Sequence, residues 1–556
     1  MNKIKNYLLE REYLIIIFVI TLFILLLPNF HKDLVIGDDY IYHLARIQTM
    51  SDSIKSGVFP IKINGTLANG FGYASSMFYP DLLLYIPSLL MVLFSISVIT
   101  AYKIFIGLFL AFTFWIFYKS FFHMTKNRYA ALFGTIFLML SRVMYMSLYM
   151  RFALGEFLGF TFILPALVGI YDYLYNDFKS PQYLIIGFVG LLNCHLITGI
   201  IVLVFCIIIF LINIKISIQN PKRLLKLLES AILVLLVSSF FWIPMIEQLM
   251  TQKYKLSVPW TNIGDNDYTI LDFLGNEKNS IGFSIVLSMP FVLYGLINKK
   301  LERHGKQYLL YFAIISSILI CPIIWKRFSN QLNIIQFRWR LLGIITTLYA
   351  LSITCLFNNV IKDYSTDNVE KLLLIISSVL IFLMMNNYYY KDSINNRVTR
   401  ENIYSSIYTN IHSLGGGSEY LPVEITDVND LYEMNTNIAY AGDKKIEGNK
   451  NPNSSFTFYK KDIEEENIIV PFTYYYGYVA NIKTENGDIY PLEVLKDNNG
   501  LVKVKIPKEF EGEVRVWYNG TRIQKISFLI SVTTIFLTMV ILSLKKIKRE
   551  NFWCEP

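Results

Sequence analysis

Gly37-Asp38-Asp39-Tyr40-Ile41-Tyr42-His43-Leu44-Ala45-Arg46 follows the first long apolar run of the chain, Tyr13 to Leu27. Two adjacent carboxylates, a histidine and an arginine stand where a bilayer-spanning helix emerges into water. Wound at about 100° per residue, Asp39, Tyr42, His43 and Arg46 fall within roughly a third of a helix circumference. Ile41, Leu44 and Ile47 take the other side. The pattern predicts an amphipathic helix along a membrane surface with its titratable face in water. The same residues also fit a juxtamembrane helix whose charges only hold it at the interface.

Of the 556 residues, 54% are hydrophobic and only 17% are charged, too little charge for a soluble enzyme of this length. The apolar residues come in runs long enough to cross a hydrocarbon core of about 30 Å. Lys3, Lys5 and Arg11 precede the first run, and Pro28-Asn29-Phe30-His31-Lys32 contains no small-residue cleavage site. The run therefore reads as a retained span rather than a signal peptide. Basic residues gather in short loops and at the tail (Lys222, Arg223, Lys226, Lys299, Lys300, Arg303, Lys545, Lys546, Lys548, Arg549). That is the positive-inside bias, so the net charge of +9 calls for no nucleic-acid partner. Cys194, Cys206, Cys321 and Cys355 lie in or beside apolar runs and Cys554 near the end, with neither disulfide nor metal spacing.

Further apolar runs lie near 79–98, 101–120, 129–149, 154–173, 182–194, 197–213, 228–246, 281–297, 308–324, 339–358, 371–389 and 526–544. An all-α polytopic membrane protein of about 13–14 transmembrane helices is expected. An internal N-terminus and an internal basic tail require an even number of crossings, and Lys119, Lys126 and Arg128 place the discrepancy between 31 and 128. Residues 1–389 form the multi-span domain, with 31–78 as its first outer loop. Residues 390–525 are polar and alternate with period two in Leu501-Val502-Lys503-Val504-Lys505-Ile506 and Glu513-Val514-Arg515-Val516-Trp517, with turn signals at Asn486-Gly487 and Asn499-Gly500. An extracytoplasmic β-rich domain, sandwich-like in size, is expected there. Residues 526–556 supply the last span and a cytoplasmic tail.

Ionisable groups beside spans are functional candidates because poor solvation makes them costly. Arg151 and Glu156 are five residues apart, so a turn must position them if they meet; a buried structural ion pair is the plainer reading. His195 interrupts two short apolar runs, as a packing histidine or as a ligand contact. Arg338 and Arg340, beside Gln336 and Trp339, fit interfacial anchors or a fork for phosphate. Trp242, Pro244, Glu247 and the loop Trp260 to Asp272, with Asp265, Asp267 and Asp272, read as a solvated outer edge. Gly415-Gly416-Gly417-Ser418 lacks the lysine of a phosphate loop and reads as a bend.

Further stretches carry a resemblance: Gly57-Val58-Phe59-Pro60, Gly70-Phe71-Gly72-Tyr73, Phe78-Tyr79-Pro80, Arg151 to Glu156, Gln336 to Arg340 and Glu419-Tyr420-Leu421-Pro422. With the opening motif they resemble polytopic bacterial membrane proteins labelled 6-pyruvoyl-tetrahydropterin-synthase-related. Val470-Pro471-Phe472-Thr473-Tyr474-Tyr475-Tyr476-Gly477-Tyr478 through Gly520-Thr521-Arg522-Ile523-Gln524-Lys525-Ile526-Ser527 resembles the end of YfhO-like proteins. Both groups look like the GT-C glycosyltransferase superfamily. The metal-binding histidine pattern of the soluble pterin enzyme is absent, so the label implies no pterin chemistry.

The resemblance implies a sugar donor on a polyprenyl phosphate and an acidic residue in the first outer loop. By position that residue is Asp39. Asp38 stands where related proteins often have histidine; it could share the role, raise its neighbour's pKa or help hold a divalent cation. His43 completes the expected catalytic group. Arg46, Arg151, Glu156, His195, Arg338 and Arg340 are the expected substrate contacts, and no metal ligand set or certain cofactor is assigned. The implied partners are the lipid bilayer and a cell-wall polymer, glycolipid or protein acceptor, at the outer face of a bacterial cell membrane. A transporter or flippase of lipid-linked saccharides and a non-catalytic envelope scaffold compete with this reading.

Overall fold

The computed structural model describes residues 2–257, 262–265, 268–275, 279–384, 397–451 and 454–552. Trp260 and Asp267, named above, and Cys554 lie outside them. The chain divides into two compact units. The first comprises Met1–His43, Ile96–Leu227 and Pro259–Ile403, and the second Leu44–Ser95, Leu228–Val258 and Tyr404–Pro556.

The chain is a mostly helical, multi-pass membrane protein. Among the described residues, four helices are long and apolar enough to cross a membrane: Val98–Thr125, Leu154–Tyr175, Arg338–Asp363 and Arg522–Leu544. Two more arise if Arg128–Met139 is joined to Arg142–Met150, and Pro221–Val237 to Ser239–Thr251, across bends of 44° and 71°. Five shorter apolar helices (Leu14–Phe30, Leu82–Phe94, Gln182–Cys194, Leu196–Ile212 and Phe283–Ile297) account for runs that read as spans in the sequence. The local causes are visible. His195 takes an extended backbone between two short helices, and Ser141 restarts a helix by accepting from the Met144 amide. Leu82–Phe94 ends at Ser95 in the left-handed region (φ 52°). At about 1.5 Å per residue it reaches about 20 Å, less than a hydrocarbon core. It lies in the 31–128 interval where the loop charges and the run count disagree.

In the first unit, Leu154–Tyr175 is buried over 89% of its most apolar window, so it is the centre of a bundle. Its closest neighbour is Gln182–Cys194. A Cβ on Gly169 would lie 2.5 Å from the Leu184 nitrogen, and one on Gly187 would lie 2.4 Å from the Ala166 nitrogen. Only glycine lets these two backbones approach so closely, which is how helices associate where lipid competes for apolar contact. In the same unit, strand β1 (Leu34–Val35) pairs antiparallel with β2 (Arg397–Val398).

The second unit holds eight antiparallel strands: β3 (Ile438–Ala441), β4 (Lys444–Asn451), β5 (Ser455–Lys460), β6 (Asn467–Thr473), β7 (Tyr478–Thr484), β8 (Ile489–Lys496), β9 (Leu501–Lys505) and β10 (Gly512–Tyr518). They close in the order β10-β5-β4-β3-β6-β9-β8-β7. The expected sandwich is thus a barrel. Strand β10 pairs with both β5 and β7, which leaves no free edge. Phe456, Phe458, Ile482, Val504, Val514 and Val516 alternate into its core. Gly487 (φ 90°) and Gly500 (φ 78°) occupy the two Asn-Gly turns.

The glycine contact yields a direct test. Gly187→Leu forces backbone apart in a packed interface and should cost about 2 kcal/mol or more. Fluorescence-detected thermal unfolding of the detergent-solubilised protein should show a clearly lowered midpoint, whereas Ile186→Leu, on a partly exposed neighbour, should leave it in place.

Candidate active site

Asp39 sits at the mouth of helix Tyr40–Lys55. Its carbonyl accepts the His43 N–H at 3.1 Å, the first helical bond, which makes Asp39 the N-cap. Its own N–H donates to the Arg151 carbonyl at 2.9 Å. Two residues earlier, a Cβ on Gly37 would lie 2.8 Å from the Met150 oxygen and the Phe152 nitrogen, so this segment runs flush against residues 149–152. The expected helix forms, but its titratable face is not in water. Residues 41–50 are all buried, His43 and Arg46 being 2% and 1% exposed.

Arg151 ends a π-helical turn, Met146–Met150, and Phe152 follows in the left-handed region (φ 52°) before a new helix starts at Leu154. A π turn and a left-handed non-glycine residue are both costly, and such features gather at functional sites. Here they bring Arg151 Nη1 within 3.3 Å of Glu156 Oε2. Glu156 Oε1 takes Arg340 Nε at 2.9 Å. Arg340 Nη1 also donates to the Ile335 carbonyl (2.9 Å) and to Gln336 Oε1 (2.6 Å). Phe337 stacks on Trp339 with ring centres 4.2 Å apart. The Arg151 guanidinium lies 4.6 Å from the Trp339 ring centre, and that of Arg340 lies 5.4 Å from the Phe337 ring centre. The five side chains form a closed circuit: Glu156, Arg151, Trp339, Phe337, Arg340.

Asp39 lies within this field. Burial pushes its carboxyl up to about 6, against the pull of Arg151; Glu156 and Asp38 raise it further, and Arg340 opposes them. Such a value leaves the group able to take or give a proton near neutral pH.

The structure thus brings Asp39, Arg151, Glu156 and Arg340 together, with Asp38 adjacent. His195 is buried within electrostatic range of Glu156 and both arginines. Its Nδ1 takes the Thr198 N–H (3.3 Å) and pairs with Thr198 Oγ1 (2.7 Å), which caps helix Leu196–Ile212 and leaves the Nε2 side as donor. Arg338 does not join Arg340 in one fork. In the tight Arg338–Leu341 turn, residues two apart point in different directions, and Arg338 donates to the carbonyls of Ile263 (3.2 Å) and Gly264 (3.4 Å). Arg46 belongs to the second unit, where Nη2 donates to the carbonyls of Tyr79 (3.0 Å) and Pro80 (2.9 Å). Asp272 forms a capping box with Thr269. Among the described residues no cluster of three or more His, Cys, Asp or Glu side chains is placed to hold a metal. The sequence sets Trp339 beside the arginines, but neither its stacking on Phe337 nor its contact with Arg151 is expected from it. The alternation Phe337-Arg338-Trp339-Arg340 was the signal available.

No family model matches the chain. An uncharacterised protein of Lactococcus lactis subsp. cremoris (strain MG1363) is 25% identical, over 99% of this chain and 98% of its own length. Among solved structures, an oligosaccharyltransferase of Archaeoglobus fulgidus, in complex with zinc and sulfate, is 14% identical with a TM-score of 0.36 over 68% of this chain and 53% of its own. Arabinofuranosyltransferase AftD from mycobacteria is 11% identical with a TM-score of 0.39 over 69% of this chain. The oligosaccharyltransferase AglB from Archaeoglobus fulgidus, bound to an inhibitory peptide and a dolichol-phosphate, is 13% identical with a TM-score of 0.37 over 69%. The chain spans about half the length of the two oligosaccharyltransferases and 27% of the arabinofuranosyltransferase.

Glu156→Gln tests the circuit. It leaves two buried guanidiniums sharing a neutral amide, and removing one partner of a buried pair costs roughly 3–5 kcal/mol. The variant should show a strongly reduced melting temperature in detergent. Asp272→Asn, on an exposed cap, should shift it little. Equal melting of Glu156→Gln and the wild type would mean that the carboxylate does not hold the arginines.

Proposed function

We propose that the chain is an integral membrane glycosyltransferase that moves a sugar from a polyprenyl-phosphate carrier to a cell-envelope acceptor. The observation that carries this reading is Asp39: a half-buried carboxyl with its pKa pushed up to about 6, beside two arginines that share Glu156. A glycosyl phosphate brings its own good leaving group. The protein then needs a base for the acceptor hydroxyl and fixed positive charge for the departing phosphate. Asp39 takes the first role, and Arg151 with Arg340 the second. The sequence motifs that resemble GT-C proteins fall on the same residues.

In the step itself, the acceptor oxygen bonds to the anomeric carbon as the carbon–oxygen bond to phosphate breaks. The electron pair leaves with the phosphate, and the acceptor proton passes to Asp39. A single displacement inverts the anomeric centre, by analogy with the one-step geometry of glycoside hydrolysis. Asp38 adds negative charge beside the base and so, after burial and Glu156, helps to raise its pKa. The reaction takes place at the outer face, and the lipid tail lies among the spans.

Two measurements test this. Asp39→Asn keeps shape but accepts no proton, so transfer from a polyprenyl-phosphate sugar should fall by roughly two orders of magnitude or more. Because the base works only when deprotonated, kcat/KM of the wild type should rise with pH through about 6 and level off above it. Neutralising a charge that raises that pKa, as in Asp38→Asn, should move the rise to lower pH while sparing the plateau. Full activity in Asp39→Asn, or a rise that ignores Asp38, sinks the assignment.

A further inference from the structure

Trp339 holds a donor that the circuit does not use. Its indole Nε1 is closed to solvent and has no hydrogen-bond partner among the described residues. A buried N–H left without an acceptor costs about 1–3 kcal/mol. One ring face stacks on Phe337 with centres 4.2 Å apart, and the Arg151 guanidinium lies 4.6 Å from the same ring centre and 6.0 Å from that of Phe337. The polar group on the ring edge is a hydrogen-bond donor only.

The neighbouring donors are also incompletely used. Arg151 gives one N–H to Glu156, and its Nε and Nη2 groups make no hydrogen bond among the described residues. Arg340 commits Nε and Nη1 and leaves Nη2 without one. None of these three nitrogens is sealed from solvent as Trp339 Nε1 is. Arg151 and Arg340 face the carboxylates of Glu156 and Asp39, with Asp38 adjacent, so the site offers directed N–H groups rather than surplus charge. Unused guanidinium N–H groups beside a neutral buried donor suit an acceptor-only group with several oxygens.

We propose that Trp339 Nε1–H is a phosphate-binding donor that hydrogen-bonds a non-bridging oxygen of a phosphate ester held by Arg151 and Arg340. Stacking on Phe337 and contact with the Arg151 guanidinium hold the indole, so that its N–H and the two guanidiniums serve as one donor set. An oxygen reaches Nε1 through side-chain adjustment of the kind common on binding. The identity of the ester as a polyprenyl phosphate rests on the function proposed above; recognition of phosphate by the indole does not.

The experiment uses the full chain in nanodiscs with 15N-labelled tryptophan, one of seven in the sequence. The Trp339 indole resonance is assigned by its loss in Trp339→Phe, which keeps an aromatic ring against Phe337 and Arg151 but removes the N–H; Trp339→Tyr serves if that variant fails to fold. Titration with a polyprenyl monophosphate should move this resonance downfield, saturably, and inorganic phosphate should move it at higher concentration. Polyprenol, the same chain without phosphate, should not. Polyprenyl-phosphate affinity should fall about tenfold in Trp339→Phe, the loss of one hydrogen bond to a charged group. An unmoved indole under saturating lipid phosphate, an equal shift with polyprenol, or wild-type affinity in the phenylalanine variant each overturns the inference. A phosphate-dependent shift in a protein without sugar transfer would sustain it while sinking the transferase reading.

Discussion

Glu156 cannot be left alone at the edge of a span. A lone carboxylate there pays a desolvation penalty of several kcal/mol, and two lone guanidiniums pay more. Placing one arginine on each carboxylate oxygen offsets most of that cost and fixes two distant stretches of chain, residues 151–156 and 335–340, to one another. The backbone around it is shaped to permit this. The π-helical turn before Arg151 and the left-handed Phe152 re-aim a side chain that a regular helix would carry elsewhere. Gln336, also left-handed (φ 63°), bends the chain so that its side chain meets Arg340. The Asp39 segment leans on the same loop through Gly37 and the Arg151 carbonyl. The desolvation that comes with this placement raises the Asp39 pKa against the pull of Arg151.

The parts legible in the sequence were those decided locally. The five-residue spacing of Arg151 and Glu156 excluded a shared helical face, and the turn it required is present. The Asn-Gly pairs mark two barrel hairpins because left-handed glycine is a property of single positions. Barrel closure was not legible, since it depends on β10 finding both β5 and β7, strands dozens of residues away. Nor was the burial of residues 41–50. Periodicity locates an apolar face, but only tertiary packing says whether the polar face is covered too. Arg338 and Arg340 looked equivalent in sequence. The tight turn separates them, one to carbonyl oxygens and one to Glu156.

The circuit also bears on the choice between a carrier and a template. A transporter must change the partners of its intramembrane charges during each cycle, so those charges sit on elements with two arrangements of similar energy. Here each guanidinium is held by a carboxylate oxygen and by an aromatic face, and the aromatic rings are held by one another. Moving either arginine away would break an ion pair and a cation–π contact together, in surroundings where water can replace neither at full strength. Such a circuit is poorly suited to switching and well suited to standing still. Standing still is what electrostatic catalysis asks of its charges, because donors already aimed at developing negative charge need no reorganisation when the bond breaks.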